Sequence, residues 1–155
     1  MSNALRASEW LALGEARTAL GVEGATLLRH HSVSEARGLL TVGEMGRELP
    51  FAPRRFFVIS HVPSADVRGE HAHRALHQLL VCLAGSVVVD VDDARARRTV
   101  VLDSPQAGIH LAPMTWASQH HYSANAVLLV LASAQYDASD YIREYAQYAA
   151  QKGAR

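Results

Sequence analysis

The chain has 155 residues, 49% hydrophobic and 19% charged, with 15 Lys and Arg balanced by 15 Asp and Glu. That is the size of one domain with material for a proper core, and a zero net charge offers no global field for nucleic acid or a membrane surface. No run is apolar for long enough to cross a bilayer and no leader pattern opens the chain, so the expected compartment is the cytoplasm.

Residues 3–20 read as a short amphipathic helix or as an extension, and residues 1–23 are set apart from a single domain over 24–155. From residue 24 the pattern turns to strands. Residues 25–29, 38–44 and 55–60 are short runs rich in Leu, Val, Phe and Thr. Residues 78–83 and 86–91 form a hairpin about the turn at Ala84-Gly85. A second turn is predicted at Asp92-Asp93-Ala94-Arg95, with 98–102 returning from it, and 109–111 and 126–132 complete the set. Short strands at close spacing with turns between them predict a sandwich or barrel.

The period changes near the end. Asp137 is a candidate helix cap with Asp140 in the first turn, and Tyr141, Tyr145 and Tyr148 recur at helical spacing. A helix is predicted over 141–151, its tyrosine stripe packed on the barrel or on a partner subunit. Cys82 stands alone in Leu79-Leu80-Val81-Cys82-Leu83 and reads as a small buried hydrophobe with no disulfide partner. The nine histidines are the compositional oddity; His30-His31 and His120-His121 read as surface residues.

His71-Ala72-His73 carries the chemistry. Residues i and i+2 of a strand share a face, so the two imidazoles project side by side, which suits metal ligation or proton transfer near pH 7. The spacing resembles the first cupin motif, His-x-His followed by a Glu after four residues and a Gly after six more. Here those places hold Gln78 and Gly85. The third histidine, expected after the Pro105 to Pro113 region, is replaced by Ala117, and nothing in the spacing favours His120 or His121 as a substitute. A tight divalent site wants three or four protein ligands. With two of four gone, the pair reads as acid/base machinery rather than as a metal site.

The run from Gly38 to Tyr148 resembles the nucleotide-sugar 3,4-ketoisomerases of the cupin superfamily, in the branch named after WxcM-like C-terminal domains. The stretches carrying the resemblance are LPFAPRRFFVISHVPSADVRGEHAHRALHQLLVCLAGSVVV, LAPMTW, YSANAVLLVLAS and YDASDYIREY. It implies a mainly β fold, a double-stranded β-helix (cupin or jelly-roll barrel) ending in a C-terminal α-helix. It further implies a homodimer with exchanged strands, and a dTDP-linked 4-keto-6-deoxy sugar as substrate. The carbonyl would move from C4 to C3 through an enediol, in deoxyamino-sugar synthesis for polysaccharides or antibiotics, without metal or organic cofactor. His71 and His73 become the expected acid/base pair.

Other residues divide between binding and structure. Arg55, corresponding to an arginine of the family, enters an apolar strand and needs a partner, either the diphosphate or Glu44. Arg68 shares the face of Glu70 and Arg74 on an ideal strand, unless Gly69 breaks the register. Gln78 is a candidate donor to an enediolate. Trp116 and Tyr122 are candidates for stacking on base or sugar, or for barrel packing, and His77 reads as structural. Two other classes stay open: a metal-dependent cupin enzyme or sugar-nucleotide epimerase, and a non-catalytic sugar-nucleotide-binding module.

Overall fold

The computed structural model describes residues 3–155. In chain order the elements are β1 (Leu5–Arg6), α1 (Ala7–Ala12), β2 (Arg17–Ala19), β3 (Ala25–Arg29), β4 (His31–Glu35), β5 (Gly38–Val42) and β6 (Arg55–Ser60). Then come β7 (Arg68–His73), β8 (Gln78–Ala84), β9 (Val87–Asp92), β10 (Arg97–Leu102), β11 (Ala107–Leu111), β12 (Trp116–His120) and β13 (Val127–Ala132). A 3₁₀ turn (Ala138–Asp140), β14 (Tyr141–Ile142) and α2 (Tyr145–Gly153) end the chain.

Twelve of these strands form two six-stranded sheets, ordered β1-β10-β9-β12-β7-β14 and β2-β3-β11-β8-β13-β6, and β4 and β5 form a separate two-stranded ribbon. In β13 and β12 every second residue is buried, because one face looks into the space between the sheets. That space holds the main core, built from residues such as Leu27, Leu80, Val89, Val100, Ile109 and Leu128. β8 is buried along five successive residues since its outer face is also covered, by Leu49 and Phe51 packing on Leu79 and Val81. The result is the mainly β, double-stranded β-helix barrel with a helix at its end. β8 and β9 do not pair as the expected hairpin: β8 pairs with β11 and β13, β9 with β10 and β12, and the turn at Gly85 carries the chain from one sheet to the other. Gly85 has φ of +67° and no room for a Cβ, which would stand 2.2 Å from Ser123 Oγ.

Four further expectations are corrected. The helix over 3–20 is confined to Ala7–Ala12, because the flanking residues pair as β1 on β10 and β2 on β3. The helix over 141–151 begins only at Tyr145. Asp137 caps the 3₁₀ turn instead, accepting from the Ser139 N–H. Tyr141 and Ile142 are drawn into pairing with His73 and Ala72, which buries Ile142 against Ala72, Met114 and Tyr148. Finally, His30 is not a surface residue; it is buried and its Nδ1–H donates to the Pro105 carbonyl at 2.8 Å. Cys82 is buried, its thiol pushed up to about 11 by burial.

Candidate active site

β7 carries the paired histidines, and its backbone is not regular. Ala117 of β12 lies opposite His71, but the next partner of β12, Ser118, lies opposite Gly69. Glu70 is the extra residue of a bulge, with φ of +54° after +81° at Gly69. A Cβ on Gly69 would come within 3.0 Å of the Ala117 carbonyl oxygen, so glycine is required there. The bulge changes the phase of the strand. Arg68, on the outer face of an ideal strand, instead lines the same cavity as His71, while Glu70 faces the outer surface with Asp90, Asp92 and Trp116.

That cavity has a volume of about 270 Å³ and lies between the sheets beside β6. Its polar wall is Arg68, His71, Gln78, Gln119, Tyr141 and Arg143, and its apolar floor includes Phe57, Ile59, Leu80 and Val130. Gln78 is buried, at the place where a metal-binding cupin has its carboxylate; Ala117 faces His71 where a third histidine is expected. Among the described residues no group of three or more His, Cys, Asp or Glu is disposed to hold a metal ion.

The two imidazoles meet edge to face with ring centroids 4.9 Å apart. His71 donates from Nδ1 to the Gly69 carbonyl at 2.9 Å, so the bulge also orients the ring. His73 is 5% exposed and sets its Nδ1 against the Asp140 carboxylate at 3.1 Å. In both rings Nε2 is left as the acceptor, and that of His73 is buried with no partner. Burial lowers the His71 pKa, the Gly69 carbonyl opposes it and Arg143 adds to the lowering. Burial and then His71 drive His73 down to about 4, and the hydrogen bond and charge of Asp140 only partly offset them. Both groups are therefore neutral bases at pH 7.

Tyr141 lies over both rings, 4.9 Å from His71 and 4.3 Å from His73, with the Arg143 guanidinium 4.3 Å from its own centroid. It separates the main cavity from a smaller one of about 140 Å³, which His73, Arg55, Asp137 and Asp140 line. Arg55 has its Nε buried without a partner and stacks on Phe57 and Tyr136; Glu44 pairs with Arg47 instead. Trp116 lies outside, beneath α2 against Tyr145 and Tyr148. Tyr122 is in the main core, its phenol pushed up to about 12 by burial. Neither lines the cavity.

Residues 23–153 match the WxcM-like, C-terminal (FdtA) family. The chain belongs to this family. It is 38% identical over 119 residues to TDP-4-oxo-6-deoxy-alpha-D-glucose-3,4-oxoisomerase of Aneurinibacillus thermoaerophilus, covering 77% of this chain and 86% of that one. The crystal structure of QdtA, a sugar 3,4-ketoisomerase from Thermoanaerobacterium thermosaccharolyticum in complex with TDP, superposes with a TM-score of 0.83 at 33% identity, covering 86% of this chain and 97% of that one. A histidine-to-asparagine mutant of the same enzyme, in complex with TDP-4-keto-6-deoxyglucose, superposes with the same score at 32% identity and the same coverage. The elements β1, α1 and β2 precede the matched residues.

Sequence reasoning did not single out Gln119 or Arg143, and it assigned Asp140 to a helix start and Tyr141 to packing. Gln119 was within reach, since it shares a face of β12 with Ala117. Tyr141, Arg143 and Asp140 gave no such signal, because their position depends on a two-residue strand inside a helical-looking period.

Proposed function

We propose that the chain converts a TDP-linked 4-keto-6-deoxyhexose to the 3-keto isomer, with His71 and His73 as its proton-transfer groups. One observation carries this reading: two neutral imidazoles in edge contact, His73 buried and His71 half-buried at the wall of a cavity that has arginines among its lining. Moving a ketone by one carbon needs removal of the C3 proton, an enediol, and delivery of a proton to C4. The O3 proton must also pass to O4. Two neutral bases with their Nε2 acceptors uncommitted suit both exchanges, and acid/base catalysis of this kind is worth roughly 10²–10⁴-fold. The amides of Gln78 and Gln119 supply donors for enediolate oxygen. Arg68 and Arg143 suit the diphosphate through charge-assisted hydrogen bonds, and the open side beside β6 leaves the nucleotide a way out. Arg55 belongs to the chamber behind Tyr141, and Trp116 and Tyr122 serve packing.

The active form in this reading is a homodimer. β6 is a free sheet edge with Phe56 68% and Val58 50% exposed. Among the described residues the β4–β5 ribbon pairs with no other strand, and it leaves Leu39 and Leu40 exposed. An open edge and an unpaired apolar ribbon in one chain match each other across two copies. A cytoplasmic setting and a place in deoxyamino-sugar synthesis for polysaccharides belong to the same proposal and rest on the family. No helix among the described residues is long and apolar enough to cross a membrane.

The test is incubation with TDP-4-keto-6-deoxyglucose in deuterated buffer containing a chelator, with product and exchange followed by NMR. The 3-keto product should appear with the chelator present. Epimerisation without carbonyl transfer, or activity that returns only with an added metal, would replace this reading with another cupin enzyme. Light scattering of the same preparation should give twice the 16.8 kDa chain mass.

A further inference from the structure

Asp140 was expected to stabilise the start of a helix, yet its carboxylate turns away from α2. Its Oδ2 lies 3.1 Å from His73 Nδ1, while Oδ1 accepts the Ala75 N–H at 2.8 Å. Oδ2 also accepts the Leu76 N–H at 3.3 Å, and the Asp140 carbonyl takes the Arg74 N–H at 2.9 Å. The carboxylate is thus fixed by the backbone that follows β7 before it touches the imidazole. An ionised carboxylate can only accept, so neutral His73 must carry its proton on Nδ1. That makes Nε2 the basic atom, and Nε2 is buried without a partner among the described residues.

His71 has the same tautomer from a different source, the neutral Gly69 carbonyl. The difference matters once a proton arrives. When Nε2 takes the C3 proton, the C–H electron pair passes into the enediolate and a positive charge appears on the ring. A carboxylate at Nδ1 stabilises that imidazolium, whereas a carbonyl does so much less. Arg143 disfavours charge on His71. The charged and titratable groups acting on His73 are His71 on the same strand, Arg55 from β6 and Asp140 from the 3₁₀ turn; of these only Asp140 favours the charged ring.

We propose that Asp140 is a positioning residue for the isomerisation, holding His73 in the tautomer that presents Nε2 as base and offsetting the charge this ring gains during proton transfer. The proposal rests on the ketoisomerase reading, and nothing in the sequence assigns this role to Asp140.

The test is Asp140→Asn, which can still accept the Ala75 N–H but presents N–H donors to His73 Nδ1 and so favours the opposite tautomer. Expected are a fall in kcat of at least about 10²-fold, the scale of a misdirected acid/base group, and a KM and TDP affinity within about threefold of wild type. Long-range ¹H–¹⁵N NMR should show an unprotonated His73 Nε2 in the wild type and a protonated one in the variant. Asp140→Glu, which restores a carboxylate, should recover part of the lost rate. A D140N kcat within threefold of wild type, or a wild-type His73 protonated on Nε2, would overturn the proposal. The wild-type spectrum needs no variant, so the question is decided even if D140N fails to fold. If the wild-type protein does not isomerise the sugar, the activity reading fails, while the spectrum still reports whether Asp140 sets the tautomer.

Discussion

Besides the adjacent His120 and His121, two histidine pairs form across or along the strands, and they differ in how many ring acceptors they leave free. His71 and His73 face the space between the sheets, and each commits Nδ1 to a separate oxygen acceptor. His77 and His110 lie on the outer side of the second sheet against Phe51. Their rings stack at 14°, and His77 Nδ1 meets His110 Nε2 at 3.0 Å. Both pairs are depressed in pKa by burial, His73 and His110 alike to about 4. Proximity and pKa therefore do not tell them apart. What differs is where the hydrogen bonds go: the inner pair is held from outside itself and keeps both Nε2 acceptors, whereas the outer pair spends one donor and one acceptor on itself and keeps a single acceptor.

The largest expected consequence is in turnover. His71→Asn and His73→Asn should each lower kcat by at least about 10²-fold with TDP affinity retained, while His77→Asn and His110→Asn should stay within about threefold of wild type. Steady-state kinetics on the four variants is the check, and equal losses in both pairs would erase the distinction. The next effect concerns stability in acid. A histidine at about 4 when folded and 6.5 when unfolded leaves the unfolded chain holding more protons between those values. Its contribution is thus complete above pH 6.5 and lost as pH falls toward 4. For His110 this amounts to about 2 kcal/mol at pH 5. Urea titrations of His110→Asn should show a correspondingly smaller drop in stability from pH 7 to pH 5. The smallest effect is in the wild-type rate profile. Because both inner imidazoles stay unprotonated below their ordinary range, kcat/KM should vary by less than about twofold between pH 8 and pH 6. A steep fall near pH 6.5 would mean that the catalytic bases titrate as exposed histidines do.

Much of the fold was legible because most core strands announce themselves by alternation and by turn residues such as Gly85 and the Asp92-Asp93 pair. Asp93 does accept the Arg95 and Ala96 amides as a turn requires. The histidine pair was legible for the same reason, two side chains on one strand face. Legibility failed where a single residue changes the phase. The Glu70 bulge moves Arg68 to the cavity side, and a strand period alone cannot say on which side of Gly69 the break falls. It failed again at Tyr141, whose helical spacing with Tyr145 and Tyr148 is real but interrupted by pairing with His73. Asp140 followed Tyr141 into the wrong element, since the donors its carboxylate accepts from are 64 to 67 residues away in sequence.

The stretch before β3 adds a strand to each sheet, β1 beside β10 and β2 beside β3, with Trp10 of α1 buried between them and bonded to Thr18. The outermost strands on the other margins are β14 and β6, and the cavity adjoins both. The barrel is therefore bound like a book, with a continuous spine along β1, α1 and β2 and its free leaves at the histidines. Amide protons of β14, at the histidine margin, should exchange well before those of β3 and β10.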